Sequence, residues 1–393
     1  MGNDKHKSFT FAFSLVQSAY WMTACAILAY QVVYLQALSF NNFQTGIIIA
    51  SGEVLGALFG PTIATYLDGH PKFPTSRMNT PLILLLILIH GVLMLIGRNN
   101  LLTGAMVAVV YGLFLSTNSV NMRYCGDSAV AGLSLDYGFA RGMGSLAYVI
   151  PCTLIGIIFE KISARYLPLI AILLLILQMA ANFYAGRFFK GQHSVNLHRK
   201  EAGDPLFAFI RSDPTFARLL IGNALLFFGT STYETFMINV VNNVGGSTST
   251  MGVLSAFGAA MELPAMFLLT RLRKKWRVST LLTFAFTAFS VKSLLFAIVN
   301  TVPGLFAAMA LTGLGYALYA AAIVVYVEDV IPLKNQAKGQ SLIYTMEMLG
   351  AIANGLIAGR LYDVTSVKTT LLVGSAVSVI GTALSISGIK KVR

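Results

Sequence analysis

The chain has 393 residues, of which 56% are hydrophobic and only 11% are charged, and its mean hydropathy is +0.73. A soluble domain carries about 25% charged residues, so this composition excludes a soluble enzyme, a disordered chain and a disulfide-stapled secreted module. The formal net charge is +13, but the basic residues fall between apolar stretches. That distribution indicates orientation in a membrane rather than nucleic-acid binding.

Twelve apolar stretches follow one another along the chain, each long enough for a membrane-spanning helix, which needs about 20 predominantly apolar residues. They cover residues 8–38, 43–67, 79–97, 101–122, 137–160, 164–187, 216–244, 249–270, 278–299, 302–327, 336–361 and 369–388. Backbone groups in hydrocarbon must pair internally, so we predict helices; a membrane barrel would alternate over short strands. The first span is long and no small-residue cleavage site follows it, which predicts no signal peptide.

The basic residues predict the direction of these spans. If the N-terminus is cytoplasmic, most Lys and Arg lie on the cytoplasmic side, including a cluster at 271–277. The other side then holds only Arg98, Lys161, Arg165, Arg360 and Lys368. This asymmetry predicts an even number of spans with both termini cytoplasmic, in a plasma or inner cell membrane.

The longest polar segment, 188–214, separates six spans from six. We predict an N-terminal six-helix bundle at 1–187, a cytoplasmic linker at 188–214 and a C-terminal six-helix bundle at 215–393. Two such halves are the layout of a transporter built from repeats, and a twelve-span channel or receptor is the alternative. The sequence holds no phosphate-cradling G-x-x-x-x-G-K motif for ATP-driven pumping.

The turn after span two carries a family signature. The segment from Gly60 to Asp68, Gly-Pro-Thr-Ile-Ala-Thr-Tyr-Leu-Asp, resembles the G-x-x-x-D motif between helices two and three of the major facilitator superfamily. The resemblance implies an all-α fold of two six-helix bundles with inverted repeats around a central cavity. It also implies that Gly60 and Asp68 act in the conformational switch.

Further segments are similar to two branches of that superfamily. Residues 45–50, 137–145 and 232–236 resemble lactose permease, whereas 262–264, 326–328 and 337–340 resemble the nucleoside–proton and phenylpropionate permeases. Helix ten of lactose permease carries a His and a Glu one turn apart, but residues 311–317 carry neither. The coupling chemistry of that permease therefore cannot be copied to this chain.

Charged residues inside the N-terminal spans are functional candidates, because a charge at the bilayer centre costs at least about 2.5–3.5 kcal/mol. A helix-packing ion pair is the alternative for each. The resemblance makes Arg141 the counterpart of a sugar-binding arginine, and Tyr148, two turns further, matches the aromatic ring that stacks on the sugar. Arg123 stands near the position of an acid in lactose permease. Either Glu53 supplies the missing carboxylate, or two arginines favour an anionic substrate.

Polar and small residues in other spans extend this prediction. Tyr30 in span one and Asn118 in span four are candidate substrate contacts, as is Tyr233 in span seven, since tyrosines and amides suit a hydroxylated, flat-faced solute. His90, alone on an apolar helix, is predicted to be a packing residue rather than a titrating one. The glycines that recur every fourth residue in span two, namely Gly52, Gly56 and Gly60, are predicted to permit close helix contact.

The C-terminal spans hold three acids, Glu234, Glu262 and Glu347, and one base, Lys292. They cannot all pair as ions, and burial disfavours a charged carboxylate, so at least one acid is predicted to exchange a proton near neutral pH. Glu262 is the first candidate, with Lys292 as its partner. Where the lactose permease family has a lysine on helix eleven this chain has Glu347, so Glu234 and Glu347 form a rival coupling pair.

These observations predict proton-coupled symport of a small polar solute, in the first place a sugar or oligosaccharide. A nucleoside or aromatic-acid proton symporter, a proton-driven efflux pump and a non-transporting sensor are the alternatives, and sodium coupling stays open. The expected partners are the solute, protons and the bilayer, without nucleic acid, for a monomer. Neither a cofactor nor a metal is expected, since Cys25, Cys125 and Cys152 match no ligand spacing, and no nucleophile, base and orienter trio suggests an enzyme.

Overall fold

A computed structural model describes residues 2–69, 75–189, 210–211, 213–272 and 275–390, and every regular element in these ranges is helical. The chain forms two compact units, Met1–His198 and Arg199–Arg393. Most of the predicted linker 188–214 lies outside the described residues, so the domain boundaries stay a prediction.

Seven α-helices form the described part of the first unit. They are α1 (Gly2–Ala24), α2 (Gln31–Ala37), α3 (Asn42–Gly69), α4 (Thr75–Ile96), α5 (Leu101–Val130), α6 (Tyr137–Lys161) and α7 (Leu167–Gly186). A π-helical segment, Cys25–Ala29, connects α1 to α2. The three therefore form one long span with a change of helical geometry in the middle.

Eight α-helices form the described part of the second unit. They are α8 (Pro214–Glu234), α9 (Met237–Asn243), α10 (Thr248–Leu272), α11 (Val278–Ile298), α12 (Val302–Met309), α13 (Leu318–Val330), α14 (Leu333–Val364) and α15 (Val367–Ser387). A second π-helical segment, Gly313–Ala317, precedes α13. Helices α8 and α9 follow each other with only Thr235 and Phe236 between them.

Ten of the described spans are long and apolar enough to cross a membrane. The chain is therefore a multi-pass, all-α membrane protein. The predicted spans 216–244 and 249–270 are also helical, as α8 with α9 and as α10, but they are not among the ten. The count of twelve membrane spans accordingly stays a prediction.

Side-chain caps fix where the helices that carry the charged residues begin. Asp136 accepts a hydrogen bond from Phe139 N (2.9 Å) at the start of α6. Asp213 accepts one from Phe216 N (3.1 Å) at the start of α8. Each cap satisfies a backbone N–H that has no partner within the helix, so these helix starts follow directly from the sequence.

Glycines bring helices into close contact in both units. A Cβ at Gly52 would lie 2.6 Å from Tyr111 Cβ, and one at Gly56 would lie 2.8 Å from Leu115 Cδ1, so α3 and α5 meet where a side chain would not fit. The packing role predicted for these two glycines is thereby confirmed. In the second unit, a Cβ at Gly229 of α8 would lie 2.5 Å from Gly374 O of α15. Small residues are the usual means of close helix approach in membranes.

Candidate functional site

Three of the described spans are interrupted away from their ends, and each interruption lies beside polar or charged side chains. The π segment Cys25–Ala29 interrupts the first span, Thr235 and Phe236 interrupt the span of α8 and α9, and the π segment Gly313–Ala317 precedes α13. π-helical turns are rare and often mark functional positions. Broken helices in transporters line substrate and ion sites. A candidate site is therefore expected near these three positions.

Arg141 in α6 is held by two contacts. Its Cζ atom lies 4.1 Å from the centroid of the Trp21 ring of α1, which is a cation–π distance, and its Nη1 donates to Ser145 Oγ at 2.8 Å. Among the described residues no carboxylate lies within ion-pair distance of Arg141, and its side chain is only partly buried. The guanidinium is thus fixed in orientation while most of its N–H donors remain available.

A glycine makes this arrangement possible. A Cβ at Gly144 would lie 2.6 Å from Trp21 Cδ1 and 3.3 Å from Gln17 O. Because this position has no side chain, α6 approaches α1 closely enough for Arg141 to lie over the indole ring. Tyr148, one turn beyond Gly144, is partly buried on the same helix.

The other predicted substrate contacts of the first unit are Glu53, Asn118 and Tyr30. Glu53 is partly buried and accepts a hydrogen bond from Tyr111 OH at 3.4 Å, while Asn118 is also partly buried. Tyr30 is fully buried, and its hydroxyl donates to Cys152 O at 2.6 Å. In this structure Tyr30 joins the π segment of the first span to α6, and its role in substrate binding stays a prediction.

Two further residues of this unit behave as packing groups. His90 is buried, with Nδ1 2.7 Å from Leu86 O one turn earlier, as expected for a packing histidine. Arg123 lies 3.7 Å from Asp127, one turn further along α5. Asp127 also accepts a hydrogen bond from Thr75 Oγ1 at 2.5 Å, so this pair connects α5 to the start of α4.

In the second unit Lys292 and Glu234 form an ion pair with unequal burial. Lys292 Nζ lies 3.3 Å from Glu234 Oε1, and the two side chains are 2% and 49% exposed. The ammonium also lies 5.0 Å from the centroid of the Tyr233 ring, which stacks on Phe296 at 4.4 Å. Tyr233 is fully buried here and supports Lys292. The contact with Glu234 was not predicted, and the expected Lys292–Glu262 pairing stays a prediction.

Glu347 in α14 takes part in a small hydrogen-bonded group from three helices. Glu347 Oε1 is hydrogen-bonded to the hydroxyl of Tyr319 in α13 and accepts from Asn223 Nδ2 of α8 at 3.4 Å. The Tyr319 hydroxyl is also 2.9 Å from Asn223 Oδ1. Tyr319 and Asn223 are both fully buried. The three side chains close a ring of polar contacts inside an apolar bundle.

A cavity of about 190 Å³ opens beside this ring, between α13 and α14. Glu347 and Tyr319 form part of its wall, together with the polar side chains of Tyr316, Gln340 and Tyr344. The remaining wall is aliphatic and includes Ile323 and Ile343. The cavity therefore combines one acid with three tyrosine rings.

The remaining candidates are Glu262, Gly60 and Asp68. Glu262 in α10 is partly buried, and Gly60 in α3 has Ser119 Oγ 3.2 Å from where a Cβ would lie. Asp68 lies in the last turn of α3, and its side chain lies outside the described residues. Their predicted roles in coupling and switching stay predictions. Across the described part of the chain, no three His, Cys, Asp or Glu side chains group to hold a metal ion.

Sequence reasoning missed three residues at these positions. Trp21 was not singled out, although the aromatic and amide residues crowded into the first span were a signal for a site. Asn223 and Tyr319 were not singled out. A polar amide in the middle of an apolar span was the signal available for Asn223.

Comparison with known proteins decides the family. Residues 14–373 match the model of the MFS_1-like family. The chain belongs to this family. It is therefore a transporter of the major facilitator type, which indicates transport rather than catalysis. No curated protein matches the chain significantly.

Solved structures show the same fold at low sequence identity. A mutant of the nucleoside transporter NupG superposes with a TM-score of 0.80 at 12% identity, covering 97% of this chain and 100% of NupG. A bacterial homologue of the iron transporter ferroportin gives 0.74 at 13% identity, with complete coverage of both chains. A mutant of a peptide transporter gives 0.69 at 14% identity, covering 96% of this chain and 92% of that one. These likenesses support the fold and leave the solute open.

Proposed function

We propose that this family member is a proton-coupled secondary transporter that carries a small hydroxylated solute, in the first place a sugar or oligosaccharide, by alternating access. The family supports transport of a small solute. The choice of solute rests on the contacts of Arg141. Its guanidinium lies over the Trp21 ring and is hydrogen-bonded through Nη1.

A guanidinium has five N–H donors in a planar fork that matches paired acceptors. Ser145 takes one donor, and no described carboxylate takes the others. An arginine with open donors and no acid in contact is suited to a ligand that brings its own acceptors, such as vicinal hydroxyls. The indole ring under the guanidinium removes most of the freedom that binding would otherwise have to restrict.

Tyr148 and Glu53 are proposed to complete the binding side of the first unit, with Asn118. Tyr148 follows Arg141 by two helical turns and would offer a ring face to the solute. Glu53 would accept hydrogen bonds from solute hydroxyl groups. In the second unit Glu262, Lys292, Glu234 and Glu347 are the groups proposed to couple proton movement to transport.

A nucleoside is the second candidate solute. The tyrosines at the cavity between α13 and α14 offer flat surfaces on which a base can stack. The chain is also similar in fold to the nucleoside transporter NupG. We further propose a monomer in the plasma or inner cell membrane with both termini cytoplasmic, which the distribution of Lys and Arg supports.

Uptake into proteoliposomes tests the proposal. The purified protein is reconstituted, a pH gradient is applied, and a panel of labelled sugars and nucleosides is offered. We expect one class to accumulate with the gradient. Accumulation of nucleosides alone would select the second candidate, and gradient-independent flux of every solute would contradict proton coupling.

Substitution at Arg141 tests the binding site in the same assay. Arg141→Lys keeps the charge but loses the planar fork, and we expect apparent affinity to fall about 10-fold or more, as for loss of a hydrogen bond to a charged group. The matched control is Arg165→Lys, because among the described residues the hydrogen bond of the Arg165 side chain goes to the backbone oxygen of Ala37 at the end of α2. Equal affinity in Arg141→Lys and the unmodified protein would contradict the assignment.

A further inference from the structure

The ring of Glu347, Tyr319 and Asn223 contains an unequal number of donors and acceptors. The Tyr319 hydroxyl lies against two acceptor oxygens, Glu347 Oε1 and Asn223 Oδ1. A hydroxyl has one proton and can donate to only one of them. The protonation state of Glu347 therefore decides whether all three contacts can be hydrogen bonds at once.

With a proton on Glu347, every contact in the ring is satisfied. The carboxylic acid donates to the Tyr319 oxygen, the Tyr319 hydroxyl donates to Asn223 Oδ1, and Asn223 Nδ2 donates back to Glu347 Oε1. With Glu347 ionised, the hydroxyl turns to the carboxylate. Tyr319 O and Asn223 Oδ1, 2.9 Å apart, then face each other without a proton between them.

We propose that Glu347 is the proton-binding group of the second unit, and that its ring with Tyr319 and Asn223 closes when the proton binds and opens when the proton leaves. This deepens the proposed function and rests on it for the link between the proton and the solute. The step is a reversible protonation, in which a carboxylate and a proton form a carboxylic acid.

The aromatic residues around Tyr319 limit which side chains can move when Glu347 loses its proton. Its ring packs against Phe227, Phe286 and Phe289, with centroids 5.6 to 5.8 Å away. The phenol ring of Tyr319 is held on three sides and cannot rotate away when the charge of Glu347 changes, because protein interiors are closely packed. Loss of the proton must instead be accommodated by the amide of Asn223 in α8 or by the position of Glu347 in α14. Protonation thereby acts on the junction of three helices.

The cavity gives the proton a path to Glu347. The ring engages Oε1, whereas Oε2 makes no hydrogen bond with any described residue, and Glu347 forms part of the cavity wall. A volume of about 190 Å³ holds several water molecules beside polar side chains. Water in the cavity can deliver a proton to the carboxyl group of Glu347 without entering the apolar core.

Other titratable groups near Glu347 do not compete for this role. On the cavity wall they are Tyr316, Tyr319 and Tyr344, and no lysine, arginine or second acid lines the described cavity. On α8, which packs against the ring through Asn223, the nearest basic and acidic side chains in sequence are those of Arg218 and Glu234, near the two ends of the helix. Glu234 is half-exposed and contacts Lys292, and it makes no hydrogen bond with Glu347, Tyr319 or Asn223.

Infrared difference spectroscopy of the reconstituted protein tests the assignment without a transported solute. Raising the pH is expected to remove a carbonyl band of a protonated carboxyl group. Glu347→Gln should delete this band, while Glu234→Gln, the matched control, should retain it. Tyr319→Phe should shift its frequency, because the acid loses its hydrogen-bond acceptor. Asn223→Leu should remove the side-chain amide band that changes in the same pH step.

The folded state of each variant is checked by thermal unfolding at low pH. Glu347→Gln is expected to unfold near the temperature of the unmodified protein, because the glutamine amide can donate to Tyr319 as the acid does. Glu347→Asp should keep a carboxyl band but at a shifted frequency, since the shorter side chain does not reach the ring. The proposal would be overturned if the band that Glu347→Gln is expected to delete persisted in that variant, or if Tyr319→Phe left its frequency unchanged.

Transport separates this inference from the proposed function. We expect Glu347→Gln to exchange labelled for unlabelled solute at an unchanged rate but to lose accumulation driven by a pH gradient. Full accumulation in this variant would overturn the inference and leave the proposed function standing. An absence of gradient-driven accumulation in the unmodified protein, with the infrared results as expected, would instead contradict the proposed function and leave the proton-binding ring intact.

Discussion

The ion pair between Lys292 and Glu234 makes a directional prediction about stability. The lysine side chain is 2% exposed and the glutamate 49%. Removing the glutamate leaves a buried ammonium, whereas removing the lysine leaves a carboxylate that water already reaches. The two single substitutions should therefore have unequal costs, although they break the same contact.

The burial of each partner sets the magnitudes. Breaking a buried pair so that one charge is left uncompensated costs about 3–5 kcal/mol. The Tyr233 ring, 5.0 Å from Lys292 Nζ, offsets part of this, since a cation–π contact contributes about 0.5–2 kcal/mol. We therefore expect Glu234→Ala to lower the free energy of unfolding by about 2–4 kcal/mol. Lys292→Met fills the same space without a charge and should cost less than about 1 kcal/mol.

Denaturant unfolding of the detergent-solubilised protein measures both variants and the double variant. The double variant should resemble Lys292→Met alone, because it contains no buried charge. The corresponding coupling energy from the double-mutant cycle is about 2 kcal/mol or more. If Lys292→Met costs as much as Glu234→Ala, the ammonium is not the member of the pair that depends on its partner, and the reasoning from burial fails.

Two further predictions concern packing. Gly229→Leu should lower the free energy of unfolding by at least about 1–3 kcal/mol, because a Cβ at Gly229 would lie 2.5 Å from Gly374 O. Gly91→Ala is its control, since nothing lies within 4 Å of a Cβ there, and it should be neutral or stabilising by up to about 1 kcal/mol in thermal unfolding. Tyr30→Phe should cost about 1 kcal/mol through its lost bond to Cys152 O and leave solute affinity unchanged; a changed affinity in the uptake assay would instead support direct binding by Tyr30.

Sequence reasoning was reliable where one physical requirement dominates. The helices follow from the length and apolarity that a bilayer demands, and the contact at Gly52 and Gly56 follows from their spacing. The π segments Cys25–Ala29 and Gly313–Ala317 were not predicted, because the criteria of length and apolarity do not separate a π segment from the α-helix around it. The assignment of Arg141 came from family resemblance.

The contacts of the candidate residues depend on the register between helices, which no single segment contains. Trp21 lies under Arg141 because Gly144 allows α6 to approach α1 at that height. Similarly, Lys292 contacts Glu234 because α11 packs beside the end of α8. The charge content of each unit could be predicted from the sequence. The partners required the structure.

The positions of Arg141 and Glu347 assign solute binding to the first unit and proton binding to the second. Near Arg141 the first unit offers a base without a described acid in contact, which suits acceptors brought by a solute. The second unit offers Glu347 in a ring that is fully satisfied only with a proton, and, at the end of α8, an ion pair of Glu234 with Lys292. Substitutions at Arg141 should therefore change solute affinity and spare the infrared carboxyl band. Substitutions at Glu347 should remove that band and spare affinity, because the two groups act on different partners.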